Sequence, residues 1–168
     1  MIVVSFTASA QKLPPLDVSP ADISIFRPDG KGTVPVAKVV YGRPQKKGRT
    51  MIGDVEPFGK VWRAGANEST EIKFYKDVTF GDQKVKAGTY TLYAIPEKGE
   101  FTVILNSKLD TWGAFEYEQA KDVVRVKAPV SATDNDVEAF TIAFDGKAGT
   151  GNMILAWEKW MVKVPLKY

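Results

Sequence analysis

Residues 78–105 read VTFGDQKVKAGTYTLYAIPEKGEFTVIL, and this stretch decides the fold class. From Gly88 to Ile95, one set of apolar and aromatic side chains alternates with another set rich in threonine. This period of two is typical of a half-buried β-strand. Short turn segments, Gly81-Asp82-Gln83 and Pro96–Gly99, separate neighbouring strand patterns. The stretch therefore predicts successive antiparallel hairpins.

Similar patterns continue on both sides of this stretch. Segments rich in β-branched and aromatic residues lie at 22–26, 34–41, 60–63, 70–75, 123–126, 139–144, 153–157 and 160–164. Only 116–121 has the composition of a helical turn. We therefore predict an all-β fold, an antiparallel, jelly-roll-like β-sandwich of about ten strands with at most one short helix. Aromatic residues at alternating strand positions are expected in its core: Phe74, Tyr90, Phe101, Phe140, Phe144 and Trp157.

The length of 168 residues, 44% of them hydrophobic, is that of one globular domain. Residues 11–20 contain three prolines and are predicted to form an extended N-terminal arm. Residues 21–168 show no linker, repeat or low-complexity tract. We therefore expect them to form a single β-sandwich domain.

The first ten residues have features of a targeting segment. Residues 1–6 are apolar, and Ala8-Ser9-Ala10 matches the small-residue pattern that signal peptidase cleaves. We therefore interpret residues 1–10 as the remnant of a signal peptide, with cleavage between Ala10 and Gln11. The mature protein is then expected in the periplasm or outside the cell. Nothing in the mature chain approaches the roughly 20 consecutive apolar residues of a membrane span.

Composition excludes several classes of chemistry. The chain has no histidine and no cysteine. Histidine-dependent triads, thiolate nucleophiles and cysteine metal sites are therefore impossible, and the sequence gives no case for a metal or another cofactor. The net charge of +3 is too small to indicate nucleic-acid binding.

Residues 41–70 break the alternating pattern and predict the functional region. They read YGRPQKKGRTMIGDVEPFGKVWRAGANEST. Long irregular connections of this kind in compact domains are often functional. Basic side chains outnumber acidic ones between Tyr41 and Asn67: Arg43, Lys46, Lys47, Arg49, Lys60 and Arg63 against Asp54 and Glu56. A second aromatic loop, Trp112-Gly-Ala-Phe-Glu-Tyr117, offers another stacking surface.

Several of these motifs resemble a known family. Tyr41-Gly-Arg-Pro, Pro57-Phe-Gly-Lys-Val-Trp-Arg-Ala-Gly-Ala-Asn67-Glu and Val85-Lys-Ala-Gly-Thr-Tyr-Thr-Leu-Tyr-Ala-Ile-Pro96 occur in the order seen in the bacterial domain-of-unknown-function family 2911. The resemblance covers the chain from about Tyr41 to the C-terminus and departs at Ala64, where a threonine is expected. It implies a secreted protein of the Bacteroidota type and carries no catalytic residues over to this sequence.

Two functions remain open from the residues alone. The first is a non-catalytic module that binds a polar or anionic small molecule or a glycan. Its ligand-binding residues would be Tyr41, Arg43, Arg49, Trp62, Arg63, Asn67, Glu68 and Trp112. The alternative is a carboxylate-based hydrolase such as a glycosidase, with Glu68 and Asp54 as the acid–base pair. Basic surroundings lower carboxyl pKa values, which disfavours a general acid here. Arginines that merely pair with nearby carboxylates would leave no site at all.

Overall fold

The computed structural model describes residues 11–147 and 149–168. Residues 1–10, the predicted signal-peptide remnant, lie outside the described residues. Cleavage after Ala10 and export therefore stay predictions. Residues 11–20 contain no strand or helix. The described residues form nine strands and one 3-10 turn at Gln119–Lys121: β1 Ala21–Phe26, β2 Ala37–Gly42, β3 Ala66–Phe74, β4 Val78–Phe80, β5 Gln83–Val85, β6 Gly88–Pro96, β7 Glu100–Asn106, β8 Asp122–Lys147 and β9 Thr150–Lys167. The predicted all-β class is confirmed.

The strands form one antiparallel sheet in the order β1-β2-β3-β6-β7-β8-β9-β4-β5. Most neighbours in the sheet are also neighbours in sequence, so the order is largely an up-and-down meander. The hairpin β4–β5 is the exception, because Thr79 and Phe80 pair with the end of β9. No helix in the described part of the chain has the length and hydrophobicity that a membrane span needs.

The long strand β8 gives the sheet its sandwich-like shape. Its first part, up to Pro129, pairs with β7, and its second part, from Val130, pairs with β9. The two halves of the sheet face each other across the core. Tyr41 of β2 packs edge-on against Phe140 of β8 at 5.7 Å, and Phe26 of β1 stacks on Phe144 at 5.3 Å.

The core follows the predicted alternation. Phe74, Phe101, Phe140 and Trp157 are buried, while Tyr90 and Phe144 are partly buried and pack against them. The segment 60–63, predicted as a strand, instead makes a single bridge between Trp62 and Ala94. The strand patterns at 123–126 and 139–144 belong to one strand, because register shifts near Val137 disturb the alternation without ending the pairing.

Candidate ligand-binding cleft

A cleft of about 430 Å³ lies on the outer face of the sheet, over the ends of β2 and β3. One wall comes from the N-terminal arm and the other from the loop between β7 and β8. Its lining includes Asp17, Ser19, Val40, Asn67, Glu68, Ser69 and Trp112. Four of the predicted ligand-binding residues therefore border one concavity: Tyr41, Asn67, Glu68 and Trp112.

Glu68 and Trp112 face the cleft as a cross-strand pair. An isolated antiparallel bridge joins these two residues, and the Ser69 amide donates to the Thr111 carbonyl at 3.0 Å. Directly opposed residues have Cβ atoms about 5 Å apart, so the side chains of Glu68 and Trp112 begin next to each other. The Trp112 residue is 53% exposed. The cleft thus contains an exposed indole and an acidic residue paired through the backbone.

The arm is attached to β3 through Asn67. The Asn67 side-chain amide donates to the Asp17 carboxylate at 3.0 Å and to the Ser19 carbonyl at 3.4 Å. Asp17 also accepts the Ser19 amide at 2.7 Å. These hydrogen bonds, the Ser19 amide first, lower the pKa of Asp17 below its ordinary value. The arm wall therefore carries a negative charge at neutral pH.

The motif from Trp62 to Asn67 is the scaffold beneath the cleft. The Thr70 hydroxyl donates to the Ala64 carbonyl at 2.8 Å, and the Trp62 indole donates to the Gly65 carbonyl at 3.2 Å. Asn67 has a φ of 62°, a left-handed conformation that asparagine tolerates better than most residues. Local hydrogen bonding thus turns the chain into β3 and places Asn67 and Glu68 at the rim.

Trp62 is a core residue and not a ligand contact. It is 3% exposed, stacks on Trp157 at 5.7 Å and meets Phe140 edge-on at 4.8 Å. Tyr41 borders the cleft, but its ring is buried. The Tyr41 hydroxyl donates to Asp22 at 3.4 Å and accepts the Ile142 amide at 3.1 Å. Both aromatic side chains therefore serve packing.

The three predicted arginines do not converge on the cleft. Arg43 pairs with Asp22 at 2.9 Å and donates to the Phe140 carbonyl and the Thr141 hydroxyl, which ties β1 and β2 to β8. Arg49 donates to the carbonyl groups of Gln45 and Lys46 in its own turn. Their guanidinium groups are engaged within the protein.

Arg63 does not line the cleft, but it contacts two of the segments that form it. Its guanidinium donates to the Asn67 carbonyl at 2.6 Å, and a Cβ added at Gly113 would lie 3.0 Å from it. It therefore supports both the start of β3 and the Trp112 loop. Asp54 lies in an exposed turn and is not part of the cleft lining. The hypothetical acid–base pair of Glu68 and Asp54 is not assembled there.

The model of the family described as Protein of unknown function (DUF2911) matches residues 30–166. The chain belongs to this family. The match includes β2 to β8 complete and nearly all of β9, so the scaffold motif and the Trp112 loop both lie within the DUF2911 region. No curated protein and no solved structure matches the chain.

Sequence reasoning missed some important residues of this DUF2911 protein. Asp17 and Ser69 line the cleft, yet the arm reaches β3 through contacts fifty residues apart in sequence, which no local pattern reveals.

Glu158 in β9 is 9% exposed and accepts hydrogen bonds from the amides of Met51 and Ile52, each at 2.9 Å. Its carboxylate anchors the irregular segment. No group of three or more acidic residues in the described ranges is arranged to hold a metal ion.

The burial of the Glu56 carboxyl makes the free energy of unfolding depend on pH. Burial raises the pKa of Glu56 to about 7 from an ordinary 4.5, although Arg63 opposes the shift. The folded state then holds a proton that the unfolded state has lost, so stability falls as pH rises from 4.5 to about 7. We expect a loss of about 1–2 kcal/mol, allowing for solvent screening of a partly exposed carboxyl.

Urea unfolding from about pH 5 to about pH 8 measures this effect. Glu56→Gln should flatten the pH profile, because the amide does not titrate. Glu97→Gln, at an exposed turn, makes the same chemical change and should keep the wild-type slope. A Glu56→Gln protein with an unchanged slope would assign the effect to other groups.

Proposed function

We propose that this protein is a non-catalytic binding module for a polar small ligand, specifically a glycan fragment. The observation that carries the proposal is the pairing of Glu68 with the half-exposed Trp112 in a cleft of about 430 Å³. A sugar ring presents an apolar C–H face and a rim of hydroxyl groups. An indole can stack on the face while carboxylates accept from the hydroxyl groups.

The charges of the cleft support a glycan over an anion. Asp17 and Glu68 contribute negative charge, whereas none of the lining residues is a lysine or arginine. An anionic ligand would be repelled there, and a neutral ligand would not. The sequence-based option of a small anion bound by arginines therefore has no support in this cleft. The proposal keeps the polar and glycan part of that expectation.

A glycan array followed by calorimetry tests the proposal with Trp112→Ala. We expect the wild type to bind at least one oligosaccharide, and the variant to bind it about tenfold more weakly, the size expected for loss of a stacking surface. The melting temperature should hardly change, because Trp112 is half exposed.

Phe115→Ala is the matched control. Phe115 belongs to the same loop and is 81% exposed, but it does not line the cleft. The control should bind like the wild type. Equal losses in both variants would point to a general loop effect, and the absence of any bound glycan would overturn the proposal.

A further inference from the structure

A second cavity continues the cleft along the outer face of the sheet. It measures about 330 Å³ and shares Val40, Glu68 and Ser69 with the first. Its other lining residues are Glu71, Asp110 and Thr111. Because three residues border both cavities, the two are compartments of one elongated cleft. We call them the tryptophan compartment and the acidic compartment.

Ser69 stands between the compartments with an unused hydroxyl group. The residue is 7% exposed and lines both cavities. Thr70 points inward to the Ala64 carbonyl, so strand alternation directs Ser69 and Glu71 to the outer face. Among the described residues, the Ser69 hydroxyl makes no hydrogen bond and is not a fully buried atom, although the Ser69 main-chain amide donates to the Thr111 carbonyl. The hydroxyl group of this nearly buried residue is therefore available to hydrogen-bond a ligand in the cleft.

The lining of the acidic compartment carries only negative side-chain charges, although Lys38 and Lys73 border Glu71 on its other side. Glu68, Glu71 and Asp110 border it, and none of them takes part in the ion pairs formed within residues 11–147 and 149–168. Lys108, in the same loop as Asp110, is held by Glu116 and Glu118 instead. Concave surfaces lined by one sign of charge concentrate ligands of the opposite sign.

We infer that the acidic compartment binds the protonated amino group of an amino sugar, so that the ligand is a short oligosaccharide with free amines. This inference rests on the proposed function and deepens it. The sugar in the tryptophan compartment stacks on Trp112, and the next residue of the chain lies across Ser69. Its ammonium group then donates to Glu71 and Asp110, while the Ser69 hydroxyl bonds to a neighbouring sugar oxygen.

Calorimetry with three tetrasaccharides tests the inference: glucosamine tetramer, its fully N-acetylated form and cellotetraose. At mildly acidic pH, where the amines are protonated, we expect the glucosamine tetramer to bind at least about tenfold more tightly than both neutral chains. Its affinity should fall with added salt, because charge attraction is screened. Glu71→Gln should remove most of the preference for the glucosamine tetramer over the two neutral chains.

Glu97→Gln provides the matched control, because it removes the same charge from an exposed turn outside the cleft. If Glu71→Gln and Glu97→Gln weakened binding of the glucosamine tetramer equally, the preference would come from the net charge of the protein. That result would overturn the inference. Ser69→Ala should weaken binding of the glucosamine tetramer severalfold with an unchanged melting temperature.

The outcomes separate this inference from the proposed function. If all three chains bind equally and Trp112→Ala weakens each, the inference is overturned and the glycan module stands. If neither these chains nor any glycan of the array binds the wild type, both fall.

Discussion

Gly42→Ala is expected to destabilise the protein by at least about 3 kcal/mol, or to prevent folding, because the added methyl group has no space. A Cβ at this position would lie 2.0 Å from the Ala66 carbonyl oxygen and 2.8 Å from its carbon. Both atoms are backbone, so no side-chain rotation relieves the clash. β2 and β3 shift register at this point, and their close approach fixes where β3 begins.

Urea unfolding followed by tryptophan fluorescence measures the loss. Gly99→Ala is the control, since an added Cβ there meets nothing within 4 Å. It should be neutral or slightly stabilising, because alanine restricts the unfolded chain. If both variants unfolded at the same urea concentration, the close approach of Gly42 to Ala66 would not matter to stability.

Glu158→Ala should cost about 2–4 kcal/mol, because it leaves two buried amide groups without an acceptor. The carboxylate accepts from Met51 and Ile52, which are each 3% exposed. Water cannot easily replace these bonds. Glu158→Gln keeps one acceptor oxygen and should fall between the wild type and the alanine variant.

Chemical denaturation and amide hydrogen exchange at Met51 and Ile52 check this expectation together. The control is Glu138→Ala, which removes a similar bond to the Lys47 amide at 2.8 Å, but at an exposed position. We expect that change to cost below about 1 kcal/mol. A Glu158→Ala protein as stable as this control would show that the segment needs no carboxylate anchor.

The fold class was predictable because alternation reflects burial directly. In β3, Ile72 and Phe74 are buried whereas Glu71 and Lys73 are not, as their spacing indicates. The continuity of β8 was not predictable, because the register shifts near Val137 and the left-handed φ of 53° at Glu158 disturb the alternation. Such irregularities depend on pairing with a distant strand, and a local pattern does not record that pairing.

The cleft was predictable only in part, for a related reason. Asn67, Glu68 and Trp112 were proposed from their position in non-alternating segments, and the structure brings them together. Trp62 and Arg43 had the same sequence character, yet Trp62 packs in the core and the Arg43 guanidinium bonds to Asp22 and to β8. Residue type indicates what a side chain can do, whereas burial decides whether a ligand can reach it.

The attachment of the arm has a consequence for N-terminally shortened forms of the protein. Asp17 and Ser19 form one side of the cleft but precede the first strand, so a protease can remove them without cutting the sheet. A chain trimmed to Pro20 would lose the partners of the Asn67 amide and one carboxylate, leaving an open trough. Removal of residues up to Ser19 would therefore change both the width of the cleft and its charge.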